Sequence, residues 1–392
     1  MTTSQTETSR SQNTKINPTL FSQGTRLTVE EVTNSKQLKE FLTLPHSIYI
    51  DTSSPYVMPL EQHMKMMMGK LGAPQKNFYL VRSNGKAIAR LGTKVHTAEG
   101  KTRLHFGFFE CHPDFPEATK ALVDFAHSKF PNLEMMGPFH FRQEDPYVGV
   151  LVEGFQYDPY FMMPYNPQSY DKMLKATGMV SAMDLFTYEV RGKEGLPNVV
   201  LENSAKAKRE LNITIRTLDP KNLKKEARII AGIFNEALKD NWGFEEFLDE
   251  QVDEMVTLFK AFIDPRVVAF AQVNGEDIGC LIMIPNYNHV LKPSKGKIGL
   301  GLLMRYLMRN KTTKSIRGYA LGVLKKYQGH GVGSALTDAM FEIGVPLGYV
   351  DCEISWVLAS NGSMNDLAKA MGGKQNKIYR IYSKEPVNAQ HN

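Results

Sequence analysis

The chain has 392 residues, 42% of them hydrophobic and 22% charged, with a formal net charge of +6. That length predicts more than one folded unit, and the composition excludes a disordered or fibrous chain. The charge is too small and dispersed for a nucleic-acid partner, but it suits an anionic cofactor or membrane surface.

Residues 1–24 are rich in Ser, Thr, Gln and Asn and read as a disordered tail without the apolar run of a signal peptide. No stretch approaches the roughly 20 apolar residues of a membrane span. A strand is expected at 26–32, a Met-rich segment at 60–71 and a hairpin at 78–95 turning on Ser83-Asn84-Gly85-Lys86. A strand at 105–110, a helix from Pro116 to Lys129, a strand at 133–137, a helix at 169–177 and a strand at 185–190 follow. The polar stretch 191–211 reads as a linker. Beyond it come a strand at 213–218, helices at 223–239 and 247–262, and a hairpin at 267–284 turning on Asn274-Gly275. A strand at 317–324, a helix at 333–343, a strand at 350–357, a helix at 363–371 and a strand at 378–383 complete the order. The two halves repeat one sequence of elements. They predict an α/β (α+β) fold of two tandem domains, 25–190 and 212–385, each a mixed central sheet flanked by helices, before a tail at 386–392.

Cys111, Cys280 and Cys352 are odd in number and far apart, which predicts free thiols in a reducing, cytoplasmic setting. The histidines lack metal-ligand spacing, so no metal site is expected.

The apolar strand at 319–324 runs through Gln328-Gly329-His330-Gly331-Val332-Gly333 into a helix that begins with Ser334. A helix start offers unpaired N–H groups and a partial positive charge, and glycines let a phosphate approach them. Lys325, Lys326 and His330 add charge. On the residues alone, the stretch is either a phosphate cradle or an unliganded turn.

Gln328, Gly331 and Gly333 after one strand, then Asn361 after the next and Gly372 closing a helix, resemble the GNAT superfamily of acyl-CoA N-acyltransferases. Wider stretches at 154–166, 235–244, 353–357 and 379–384 resemble its bacterial YghO-like group. The resemblance covers about residues 30–385. It implies acetyl-CoA or a longer acyl-CoA as substrate, held by residues 328–334 (Gln328, Gly329, His330, Gly331, Val332, Gly333, Ser334) with Asn361. It also departs from the family. Many members carry a Tyr four positions before the last helix's Gly, to protonate the leaving thiolate, and here that position is Ala368. The equivalent turn in the first half, Cys111 to Pro116, has two prolines and no glycine, so that half is expected to bind no CoA.

An acceptor amine must lose a proton before it attacks a thioester, and a carboxylate is the usual base. Alternation sets Asp351, Glu353 and Ser355 on one face of their strand, and Glu353, mid-strand, is the candidate base. Its other reading is a buried carboxylate paired with an arginine such as Arg380. An N–H near Val323 or Leu324 would meet the developing oxyanion. Asn241, Trp242 and Phe244 fall where GNAT folds line the acceptor pocket, as acceptor contacts or as a buried loop anchor.

Leu300, Leu302, Leu303, Tyr306 and Leu307 alternate with Arg305, Arg309, Lys311, Lys314 and Arg317. The pattern fits peripheral contact with an anionic membrane or an ordinary packed helix with a solvated basic edge. The expected function is acyl transfer from CoA to an amine by direct attack, with a lipophilic amine such as a sphingoid base as one candidate acceptor. A non-catalytic acyl-CoA binder and a Fem-like aminoacyl-tRNA-dependent transferase are the alternatives. The second requires a long helical hairpin, which the sequence lacks.

Overall fold

The computed structural model of the protein describes residues 19–22, 25–50, 53–98, 100–141 and 146–387. Most of the expected N-terminal tail lies outside these residues. Its end, 19–22, forms a strand rather than coil.

The first half contains β1 (Thr19–Ser22), β2 (Thr25–Glu31), α1 (Ser35–Thr43), α2 (Pro45–Ile48), α3 (Glu61–Met68), β3 (Lys76–Ser83), β4 (Lys86–Ala98) and β5 (Lys101–Cys111). It continues with α4 (Glu117–Lys129), β6 (Met135–Gly137), β7 (Val150–Glu153), α5 (Tyr170–Lys175) and β8 (Val180–Arg191). After α6 (Asn198–Leu211) the second half contains β9 (Thr214–Thr217), α7 (Leu223–Ala237), α8 (Asp249–Phe262), β10 (Val268–Val273) and β11 (Glu276–Pro285). Then come α9 (Asn288–Leu291), α10 (Leu300–Leu307), α11 (Arg309–Thr312), β12 (Ser315–Val323), α12 (Val332–Gly344), β13 (Asp351–Leu358), α13 (Gly362–Ala370) and β14 (Lys374–Lys384). Each half has a hairpin whose two turn residues have positive φ: Asn84 (48°) with Gly85 (80°), and Asn274 (52°) with Gly275 (82°). Such turns match the right-handed strand twist, and asparagine and glycine adopt them at least cost.

The strands form one sheet in the order β1-β2-β3-β4-β5-β6-β14-β8-β13-β12-β11-β10-β9, with β7 on β14. Among the described residues only β5–β6 and β12–β13 are parallel pairs. The halves exchange their final strands: β8 of the first pairs with β13 of the second, and β14 of the second pairs with β6 of the first. The two expected sheets are thus joined into one.

Residues 191–211 are not an extended linker. Their C-terminal two-thirds is α6, which buries Val200, Ser204 and Ala207 at helical spacing. Ser204 Oγ and Lys208 Nζ donate to Asp338 on α12 at 2.6 and 2.8 Å. The polar composition concealed a helix whose inward face is only one residue wide per turn.

In the second half the sheet is covered on both faces. Ile230, Ile233 and Phe234 of α7 and Phe259 of α8 pack on Phe270 and Ile282, while Val332, Ala335, Leu336 and Met340 of α12 pack on Ala269, Ile278 and Leu281. In the first half α4 and α5 cover Val81, Leu91, Leu104 and Phe106. A cross-tie joins the halves: His96 on β4 lies 2.7 Å from Glu245, in the loop between α7 and α8. His96 also stacks on His105 with ring centroids 4.7 Å apart.

Burial lowers the His105 pKa to about 4 and that of His140 to about 3, from 6.5. Both rings are therefore neutral in the fold and protonate more readily once unfolded. Their contribution is complete above about pH 6.5 and is lost as pH falls towards 4 and 3. By pH 5 the expected loss is on the order of 2 kcal/mol per ring. Denaturant melts between pH 7.5 and 5 measure it, and a His105→Phe protein should show a shallower decline.

Candidate functional site

The parallel pairing of β12 with β13 runs from Ser315↔Asp351 to Gly318↔Ile354 and stops there, although both strands continue. Each strand carries an irregularity at that point. The β11–β12 register shifts between Ile282, opposite Ala320, and Met283, opposite Gly318, so β12 carries one extra residue, Tyr319, at this point. The β13–β8 register shifts between Ile354 and Val357. Bulges of this kind bend a strand, and here they splay the neighbouring strands into a wedge. Arg317, 3% exposed, braces its base. Its Nε and Nη2 donate to the Ser355 carbonyl at 3.2 and 3.1 Å, and Nη1 donates to the Phe161 carbonyl of the first half at 3.0 Å. Burial pushes the Arg317 pKa down.

The wedge opens into a cavity of about 260 Å³. Its wall includes Met162, Phe234, Leu238, Asn241, Trp242 and Phe244, together with Val190, Leu196, Met340, Phe341, Val345 and Met371. Polar groups on its wall are few and include Arg317, Tyr319, Thr337, Asp351, Ser355 and Asn361.

At the outer end of β12, the Leu324 N–H is spent on the Ile278 carbonyl at 2.9 Å. Strand alternation therefore turns the N–H groups of Val323 and Leu321 towards the wedge. Of the two positions expected to meet an oxyanion, Leu324 is excluded by this bond. Gln328 folds back, its Nε2 donating to the Val323 carbonyl at 2.9 Å. Gly329 and Gly331 have φ of 77° and 79°, and α12 then starts at Val332 with no side-chain cap on its first turn. His330, Gln328 and Gly329 are exposed, Gly333 is half-buried, and Val332 and Ser334 are buried. The loop thus presents a bare helix N-terminus beside the wedge, the arrangement that binds phosphate.

Two loop residues have roles other than those expected. A Cβ on Gly331 would lie 2.8 Å from the Asn203 carbonyl, so this glycine lets α6 approach. Lys325 is already ion-paired with Asp240, and its amide donates to Glu236 at 3.0 Å, while Lys326 lies 4.8 Å over the Tyr327 ring and His330 is exposed. Asn361 lines the cavity and caps α13, accepting from the Met364 amide at 3.0 Å. Ala368 is fully buried and brings no hydroxyl.

Glu353 is fully buried and lies outside the cavity wall. Its Oε2 accepts from Lys377 Nζ and, at 3.0 Å, from Asn376 Nδ2. Arg380 is not its partner, because Arg380 pairs with Asp184 at 2.7 Å. Lys377 also donates to the Asp158 carbonyl at 3.1 Å, so a first-half loop covers the pair. The roles of Arg317 and Lys377 are not evident from sequence pattern. Composition groups Arg317 with the basic segment before it, although its place between Ile316 and Gly318 in a strand is a signal of burial. Lys377 stands in a polar run that carries no such signal.

In the first half β6 is only three residues long; it pairs with β5 at Leu104↔Met135 and His105↔Met136, and the Phe139 amide then donates to the Phe106 carbonyl at 2.7 Å. Beyond it lies a small cavity of about 70 Å³, on whose wall Tyr49 stacks on Tyr56 at 3.7 Å and the Tyr49 and Tyr170 hydroxyls donate to buried Glu110. The amides of Ala118 and Thr119 at the start of α4 bond to Phe115 and Pro116 carbonyls. Among the described residues no three His, Cys, Asp or Glu side chains gather as a metal site, and no helix is long and apolar enough to cross a membrane.

No protein-family model matches the chain. It is 27% identical over 389 residues to the bacterial ceramide synthase of Caulobacter vibrioides, an alignment covering 91% of this chain and 97% of that one. It is 24% identical over 393 residues to protein YghO of Escherichia coli, covering 94% and 100%. Among solved structures it superposes, with TM-score 0.54 and 13% identity, on a tandem GNAT protein from the clavulanic acid biosynthesis pathway, covering 92% and 98%. A GNAT protein of Sphaerobacter thermophilus gives TM-score 0.52 and 14% identity over 92% and 95%. A glucosamine N-acetyltransferase region of a fungal multi-domain enzyme gives 0.59 and 14% over 94% of this chain, which spans 38% of that longer protein. The chain therefore has the GNAT acyltransferase fold in its tandem form and resembles the YghO protein.

Two outcomes are expected. Lys377→Met strands a buried carboxylate and should cost about 3–5 kcal/mol in denaturant melts, with Glu353→Gln on the same protein restoring much of it. At Gly329, where an added Cβ meets nothing, Asp and Asn both tolerate the positive φ. Gly329→Asp should weaken CoA binding at least tenfold, about 1.4 kcal/mol, in calorimetry, with Gly329→Asn close to the parent.

Proposed function

We propose that the protein is an acyl-CoA-dependent N-acyltransferase with one CoA site, in the second half, and a lipophilic amine as acceptor. The observation that carries this reading is the braced wedge between β12 and β13, which opens into an apolar cavity lined by Leu321 of β12 and by Thr337 and Met340 of the helix that follows the glycine loop. In it, the pyrophosphate rests on the loop 328–334, the thioester lies along β12, and the N–H groups of Leu321 and Val323 face the carbonyl. The acceptor enters past Asn241, Trp242 and Phe244. An apolar cavity with few polar groups suits long hydrocarbon on the acyl group, the acceptor or both. The relative in Caulobacter is named a ceramide synthase, which supports a sphingoid-type amine. A cytoplasmic, membrane-peripheral location belongs to the same reading.

Ala368 cannot protonate a thiolate, so the leaving thiolate takes its proton from water or from another residue, while the backbone holds and polarises the thioester. The geometry favours Glu353 as an internal ion-pair partner over Glu353 as base, since its carboxylate is locked by Lys377 and lies off the cavity wall. The expected result for Glu353→Gln is a lowered melting temperature and a fall in kcat/KM that raising the pH does not restore. A rate loss that high pH does restore, at an unchanged melting temperature, would reinstate the catalytic role.

Free thiol released from acyl-CoA, with mass spectrometry of the acylated amine, tests the reaction. Release is expected with long-chain amines and no tRNA. Tight CoA binding without release from any amine would favour the non-catalytic binder. The longest helix among the described residues is α7, at 15 residues, which gives no support to a Fem-like arm.

A further inference from the structure

Residues 278–337 contain no aspartate or glutamate and ten lysines and arginines. That exceeds the +6 of the whole chain, so the rest of the molecule is net negative. Within this basic stretch lies α10, whose apolar residues mostly face outwards. Ile298, Leu300, Leu303, Met304, Leu307 and Met308 are between 50% and 76% exposed, and only Leu302 of the helix is buried. A contiguous apolar face of this kind is uncommon on a monomer unless something covers it.

The arginines are not what rims this face. Arg305 Nε donates to the Val290 carbonyl at 3.2 Å, and Arg309 lies 3.7 Å over the Tyr306 ring while donating to the Tyr306 carbonyl. The rim consists of Lys292, Lys295, Lys297, Lys311 and Lys314, all exposed and free of ion pairs among the described residues. Long lysine stems can lie along an apolar surface while their ammonium groups reach outwards.

We propose that the α10 face, from Ile298 to Met308, docks on an anionic phospholipid bilayer, its leucines and methionines entering the headgroup boundary and its lysine rim meeting lipid phosphates. A second copy of the chain fits less well, because a two-fold contact through this face would set lysine rim against lysine rim. The inner side of α10, Leu302 and Tyr306, belongs to the same apolar cluster as Met162 and Phe234 of the cavity wall. A membrane-borne acceptor would therefore leave the bilayer close to the site that consumes it. That last step rests on the acyltransferase reading; the docking does not.

The test is co-sedimentation of the full chain with phosphatidylcholine vesicles, with and without phosphatidylglycerol, across a salt series. Binding to the anionic vesicles that weakens with salt is expected. Leu300→Ser, Leu303→Ser and Leu307→Ser together should weaken it at least tenfold at an unchanged melting temperature, and Lys295→Glu, Lys297→Glu and Lys311→Glu together should weaken it and flatten the salt dependence. The proposal is overturned if the parent ignores anionic vesicles at low salt or if the triple serine protein binds as well. It is also overturned if the parent forms concentration-dependent dimers that the triple serine protein loses. Thiol release with a short water-soluble amine should be equal in the parent and the triple serine protein. If neither releases thiol, the acyltransferase reading fails while the vesicle result stands.

Discussion

The functional architecture depends on the parting of β12 from β13. Adjacent strands in a sheet hold together through their ladder, and ending that ladder mid-strand leaves backbone groups without partners. The molecule meets this cost in three ways. The bulge at Tyr319 turns β12 aside while it keeps its pairing with β11. The shift at Ser355–Trp356 does the same for β13 against β8. Arg317 then occupies the base of the gap and satisfies the Ser355 carbonyl with two of its N–H groups. A guanidinium suits this place because its planar fork can serve several carbonyls at fixed angles.

The exchange of final strands makes the two halves structurally dependent on each other. Without β8 from the first half, β13 would have a bare edge on the side away from β12. The brace also reaches across, because Arg317 donates to Phe161, and the Lys377–Glu353 pair is covered by Asp158. The first half thus supplies one wall of the wedge, the lid over its buried ion pair and, through His96, a tie to the loop that carries Trp242.

A site built in this way places its chemistry in the backbone. The polar groups turned towards the wedge from β12 and α12 are peptide N–H groups and a helix end, and the side chains lining the cavity are mostly apolar. Such a cavity accepts hydrocarbon and excludes water, which strengthens each remaining dipole. The same economy of polar groups appears outside, where α10 exposes leucine and methionine within a lysine rim.

The sequence alone determined both asparagine–glycine hairpins, the glycine loop at 328–333, the absence of such a loop in the first half and most elements around them, though not β1, α1, β7 or α6. These rest on local physics: periodicity, positive φ, and proline or glycine at particular turn positions. It also placed Asn361 and the 241–244 loop, which do line the cavity. What it could not determine depends on partners distant in the chain. Polar residues 198–211 became a helix because α12 offered Asp338 to Ser204 and Lys208. Gly331 answers to Asn203, and Glu353 to Lys377 rather than Arg380. Arg317 turned inwards while the lysines around α10 stayed out. A charged side chain shows its charge in the sequence, but whether it is paired, buried or free is decided by which distant residues the tertiary fold brings against it.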